Sequence, residues 1–324
     1  MDIDVVDAHI ESFVWTRVLG YDLLRRHGRG LLDGRLYSQV DLPRMREAGM
    51  TGGVFSIATN PFRTRRGRRE ALLANIARLQ SILAADPTVA VVSDGAGYRR
   101  ARAEGRMACF LAVQGGNAVA AADVAALPDV VSRVTVVHLT RSSLGSPARP
   151  LEGRGHGRGR GLTEAGRAYV AALDARRIVV DLAHLNRPGF WDALAAHDPS
   201  TPAIVSHTGV RAVHDVWRNL DDDQIRAIAA TGGVVGIMYH AGFLGESSVA
   251  AVVRHLEHVV DVGGEDCAAL GSDWDGLIVT PRDLRTVLEL PVLFRALRRR
   301  GFAEDRITKI AGANYLRVVD AVRG

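Results

Sequence analysis

Seven side chains able to hold a cation or move a proton stand at equivalent places, at or just past the C-terminal end of a short apolar run. They are His9, Glu11, Gln114, His138, His184, His207 and Asp273. A lone histidine beside an apolar run is usually structural. Four histidines at matching positions on four different runs point instead to one shared site. Imidazole with carboxylate is the ligand mix that suits zinc and its neighbours. A cation held there lowers the pKa of water and polarises a carbonyl oxygen. In that chemistry Asp273 takes the water's proton and passes it to a leaving amine, and His138 stabilises the developing oxyanion. Arg218, in VWRN, is placed to grip a substrate carboxylate with two parallel N–H groups. The other histidines (His27, His156, His197, His214, His240, His255 and His258) lack this placement. His255 and His258 have helical spacing and are expected on the surface, while His240 is a lesser candidate for substrate contact.

Elements that repeat along the chain must bring these residues together. The expected strands are residues 5–10, 52–59, 107–116, 133–140, 178–185, 203–209, 232–239 and 267–276, with a further short run at 89–93 outside the main set. Their nearly continuous hydrophobicity fits parallel strands covered on both faces. Helical patterns such as REALLANIARLQSILAA and TEAGRAYVAALDARR separate them. Eight strand–helix units predict an α/β fold, a (β/α)8 TIM barrel, as one domain over 1–324. A doubly wound open sheet would need a Gly-rich phosphate loop after its first strand, and DAHIES is not one. One stretch breaks the alternation, the Arg/Gly-rich segment 142–161, read as a loop beside the site.

Composition narrows the function. The net charge of +5 comes with arginines clustered in short runs, but no aromatic interleaving or nucleic-acid motif accompanies them, so no nucleic-acid partner is expected. The start MDIDVVDAHI carries acids where a signal peptide needs basic residues and a long apolar run, so neither a signal peptide nor a membrane anchor is expected. Cys109 and Cys267 sit in apolar runs and are expected to be buried and reduced, which fits a cytoplasmic protein.

Several segments in order carry a family resemblance: VDAHIES, VQGG, VVHLT, GLTEAGRAYVAAL, DLAHLN, SHTGVRAVHDVWRNLDDDQIRAIAATGGVVGI, GSDWDG and GANYLRV. The chain resembles the renal (membrane) dipeptidases, the M19 metallopeptidases of the amidohydrolase superfamily. The resemblance implies a (β/α)8 barrel with a two-zinc centre, and homodimers are common in the family. It matches His9 to the first-strand ligand, His184 and His207 to the second-site pair, and His138 to the histidine that binds substrate. Arg218 matches the arginine that holds the dipeptide carboxylate, and Asp273 the catalytic aspartate. Two metal positions depart from the pattern. Glu11 stands where the family has aspartate, and Gln114 stands where it has a bridging glutamate. Two divalent cations about 3.5–4 Å apart repel strongly, and a neutral amide supplies none of the charge that offsets this.

Three arrangements are compatible with this set. One ion is held by His184 and His207 with Gln114, or by His9, Glu11 and Asp273. Alternatively, Glu11 reaches across as a new bridge. In the third, no metal is bound. The expected function is a dipeptidase-like hydrolysis of a dipeptide or related small amide with a free carboxylate, using one zinc or another divalent ion. The alternative is a biosynthetic enzyme on the same scaffold with changed chemistry that need not use a metal: an isomerase, a cyclase or a pathway-specific amidohydrolase.

Overall fold

The computed structural model describes residues 3–30, 32–58, 60, 63–140, 142–149 and 160–324. Nine strands form among them where aliphatic and β-branched residues run together. They are β1 (Val6–Ile10), β2 (Gly52–Ala58), β3 (Val89–Val92), β4 (Met107–Gln114), β5 (Val131–Thr135), β6 (Val179–Asp181), β7 (Val205–Thr208), β8 (Val235–Ile237) and β9 (Ala268–Leu270). Parallel pairing links β1-β2-β4-β5-β6 in one sheet and β7-β8-β9 in another.

Two seams join these sheets. At one, Asp181 bridges Ile204, and Leu182 N donates to Ile204 O at 2.8 Å. At the other, Ile10 bridges Trp274, Glu11 N donates to Trp274 O at 2.9 Å and Asp273 N to His9 O at 3.1 Å. Eight strands therefore close into a barrel, as the alternating runs predict. The ninth, β3, takes the edge of β4 at Met107–Phe110, before β5 joins at Leu111–Gln114. That is the extra strand expected outside the main set.

Helices cover the ring because their apolar residues fall on one side. In the helix Arg65–Ala84 the buried positions are Leu72, Ile76, Leu79 and Leu83, a stripe at helical spacing. The helix Asp222–Ala230 starts at a capping box in which Asp221 accepts from Gln224 N and the Gln224 side chain answers the Asp221 backbone. At the N-terminal end of the barrel, Tyr315, Val318 and Val319 of the last helix, Asn314–Arg323, pack with Val6, Val54 and Phe110.

The structure changes some details. The ladder is shorter than the apolar runs: β5 stops at Thr135 and β9 at Leu270, so His138 and Asp273 lie in the loops that follow. His255 is not on the surface. It is fully buried, its Nδ1 accepts from Val210 N at 2.9 Å, and its Nε2 lies 3.2 Å from Leu244 O. A helix that packs on both a strand loop and its neighbours buries more than one stripe, and the ring satisfies two backbone groups there. Both cysteines are buried and unpaired. Among the described residues, no helix is long and apolar enough to cross a membrane. In the Arg/Gly-rich segment, Pro147 bridges Leu185 and Ala148 N donates to His184 O at 2.8 Å; residues 150–159 of that expected loop lie outside the described residues.

Candidate active site

Irregularities in two strands aim two of the histidines. On β1, Asp7 pairs with Gly53 but Ile10 with Phe55, three residues against two. On β7, Val205 pairs with Val235 and Thr208 with Ile237, the same mismatch. An extra residue of this kind rotates the side chains that follow it, and it brings His9 and His207 together inside the barrel. Their rings stack with centroids 3.8 Å apart. His184 and Asp273 follow β6 and β9 with φ of 69° and 61°. Left-handed backbone is uncommon for such residues and tends to persist where a function needs the side chain in one place.

All eight residues singled out in the sequence meet at one end of the barrel. His184 Nε2 lies 2.8 Å from His207 Nε2 and 3.1 Å from Gln114 Nε2. His9 Nε2 lies 3.4 Å from Glu11 Oε1 and 3.6 Å from Asp273 Oδ1. His138 meets the His184 ring edge-on at 4.9 Å. Arg218 is buried, donating to His207 O at 2.7 Å and to Thr208 Oγ1 at 3.3 Å. Glu11, Gln114, His138, His184, Arg218 and Asp273 all line one cavity of about 200 Å³. Its walls are otherwise largely apolar, with Val14, Met238, Trp217 and Phe243, and with the exposed Leu139 and Leu277. His240 also lines it.

Beneath the histidines lies a layer that reading the sequence missed. Arg133 of β5 is completely buried and ion-paired with Asp181 of β6. Its Nη2 donates to Ser56 Oγ at 2.8 Å and lies 3.0 Å from His9 Nδ1. Asp181 also accepts from Thr135 Oγ1 and Ser206 Oγ, both at 2.6 Å, and Ser206 Oγ lies 2.8 Å from His207 Nδ1. The available signal was a charge inside each of two apolar strands, Arg133 in RVTVV and Asp181 in VVD.

Burial dominates the electrostatics. It pushes Asp273 up to about 8, against the pull of Arg218. It raises Glu11 well above the usual carboxylate range, with Asp273 adding repulsion. Burial also pushes His138 down to about 4 and holds His9, His184 and His207 far below the ordinary histidine range. A cation among these groups would reverse the carboxylate shifts, because an adjacent positive charge favours the ionised form.

The donor set suits such a cation in part. His9, His207 and Asp273 offer ligand atoms within 4.8 Å of one another, and His9 Nε2, Glu11 Oε1 and Gln114 Oε1 are buried without a hydrogen-bond partner. An amide can turn to present its oxygen, so Gln114 is able to ligate.

With this geometry established, the chain can be set beside known proteins. A match to the membrane dipeptidase family, peptidase family M19, runs over residues 2–324. The chain belongs to that family.

Among solved members, the family's dipeptidase AC, a metallopeptidase, superposes with a TM-score of 0.87 at 28% identity, covering 99% of each chain. A Rhodobacter sphaeroides metallopeptidase, liganded with a phosphinate mimic of the dipeptide L-Ala-D-Ala, gives 0.86 at 28% identity, again over 99% of each. An uncharacterized protein in the pqqA 5' region of Klebsiella pneumoniae is 36% identical over 171 residues, which is 51% of this chain and 62% of that relative. The matched stretch thus falls short of two thirds of the Klebsiella protein.

Proposed function

We propose that this M19 family member is a metal-dependent hydrolase acting on a dipeptide or a related small amide with a free carboxylate. It works with a single divalent ion, zinc by ligand type. The observation that carries this reading is the convergence of Arg218, Asp273, His138 and His184 on one cavity, with His207 in contact with His184 and His9 stacked on His207. Similarity to a relative that holds a dipeptide phosphinate adds support.

His184, His207 and Gln114 Oε1 would hold the ion, with Asp273 beside them. When bound, it supplies Lewis acidity toward the scissile carbonyl and the attacking water. The chain's own groups do the rest. Arg218 is fixed by its bonds to His207 O and Thr208 Oγ1, and its remaining N–H groups grip the substrate carboxylate. Asp273 takes the proton of the attacking water and delivers it to the leaving amine. His138, kept neutral by burial, donates an N–H to the developing oxyanion. The apolar wall formed by Val14, Met238, Trp217 and Phe243 favours a substrate with an apolar side chain. A single domain over 1–324, a homodimer and a cytoplasmic location complete the reading; family resemblance supports the dimer and the two buried thiols support the location.

The test is hydrolysis of a panel of dipeptides before and after chelation. Activity is expected to vanish with the metal, return on adding zinc, and fall sharply for amidated substrates that lack the carboxylate. Gln114 favours the second reading, a biosynthetic enzyme with different chemistry. Turnover of no dipeptide with zinc, manganese or cobalt would replace the first reading by the second.

A further inference from the structure

One buried network contacts the inner nitrogens of both stacked histidines, and its donors and acceptors can be counted. Asp181, ion-paired with Arg133, only accepts. Ser206 Oγ has one proton, and the 2.6 Å bond to Asp181 Oδ2 uses it. At 2.8 Å from His207 Nδ1, Ser206 Oγ can therefore only accept, so His207 carries its proton on Nδ1. Its Nε2 is then the lone-pair nitrogen, turned to His184 Nε2 at 2.8 Å and available to a cation that replaces that contact. This is how a protein prepares an imidazole for a metal: the far nitrogen donates to a carboxylate or its relay.

His9 meets the opposite partner. Arg133 Nη2 stands 3.0 Å from its Nδ1, and a guanidinium has donors and no acceptor. Ser56 Oγ, which accepts from Arg133 at 2.8 Å, has its own proton free for the same Nδ1 at 3.3 Å. Two donors therefore converge on His9 Nδ1 at shorter range than the one acceptor, Ser206 Oγ at 3.5 Å, and a neutral His9 carries its proton on Nε2. That N–H points between Glu11 Oε1 at 3.4 Å and Asp273 Oδ1 at 3.6 Å. The same spacings would also suit ligands around a cation, so the far side of the ring decides. A neutral His9 ligating through Nε2 would turn an Nδ1–H toward the Arg133 guanidinium, which has no acceptor to receive it.

We propose that Arg133 is a positioning residue that removes His9 from the metal set. It fixes opposite tautomers on His9 and His207, so the centre takes one divalent cation on the His207–His184–Gln114 side. His9 instead turns an Nε2–H toward the Glu11 and Asp273 carboxylates. This inference rests on the metal-dependent reading for the word cation but not for the tautomers. It also adds a second obstacle to a two-ion centre, independent of the charge missing at Gln114.

The test combines histidine-selective 15N labelling with metal titration. Two-bond 1H–15N correlations on metal-free protein, with His9 and His207 identified by loss of signal in His9→Gln and His207→Gln, report the tautomers. The expected result is Nε2–H for His9 and Nδ1–H for His207, with zinc shifting His207 and leaving the His9 pattern in place. Gln114→Glu alone is expected to bind one zinc per chain. Adding Arg133→Gln, whose amide oxygen can accept an Nδ1–H, should raise that to two, with circular dichroism and melting confirming that both variants fold. An Nδ1–H on His9, a direct zinc shift at His9, or two zincs in Gln114→Glu alone would each overturn the proposal. A wild type that binds no zinc at all would defeat the metal-dependent reading, while the tautomers in metal-free protein would still decide the role of Arg133.

Discussion

Asp273→Asn is expected to lower kcat for dipeptide hydrolysis by about 10²–10⁴-fold, the range typical of a removed general acid–base group. Asp273 sits just past β9 with a left-handed φ of 61°, anchored by its backbone N–H on His9 O at 3.1 Å. Its carboxylate lines the cavity and lies 3.6 Å from His9 Nε2. Asparagine keeps the size and tolerates the left-handed backbone, so the fold should survive while proton transfer is lost. The loss should appear in kcat more than in KM. A variant with unchanged kcat would assign the proton transfer to another group, with Glu11 the first candidate.

Arg218→Met is expected to reduce kcat/KM for dipeptides by on the order of 10²–10³-fold, chiefly through KM. Removing one partner of a desolvated, hydrogen-bonded charge pair costs roughly 2–5 kcal/mol. Here the lost partner is the one that holds the substrate carboxylate. Burial lowers Arg218 only to about 10, so it stays cationic at neutral pH and can serve as that partner. Arg218→Lys should recover part of the loss, since an ammonium restores charge but not the planar fork. The decisive comparison uses a dipeptide amide: wild type should be as poor on it as Arg218→Met is. If the variant lost equally on substrates with and without a carboxylate, Arg218 would be a structural support of the β7 loop, through His207 O and Thr208 Oγ1, and not the clamp.

How much of this could be read from the sequence follows from which kinds of information a run of residues carries. The strand order and the extra strand were legible because burial on both faces leaves an unbroken apolar signature. The clustering of His9, His184, His207 and Asp273 was legible because a closed barrel turns equivalent strand ends into neighbours. Strand ends were less so. The runs through His138 and Asp273 stay apolar after the ladder has stopped, because Val136 and Val137 past β5 and residues 271–275 past β9 are buried too. His255 shows the converse failure: two histidines at helical spacing look solvent-facing, but the bond from Val210 N that explains its burial comes from 45 residues away. The network under the site was hidden for the same reason. Arg133 and Asp181 meet across 48 residues, and although their strands were expected to be neighbours, nothing local gives the register that sets Arg133 against Asp181. Gln114 was visible as a departure, whereas Arg133, which acts on the same centre independently, is a residue of no family motif quoted above.

The number of divalent ions the chain carries is the deciding quantity, and elemental analysis of protein purified without chelator measures it most directly. One equivalent per chain, lost in His207→Ala and retained in His9→Gln, is the expected result. No metal, with none taken up on adding zinc, manganese or cobalt, would contradict the metal-dependent hydrolase. Two equivalents in the wild type would contradict the single-ion centre and the part assigned to Arg133.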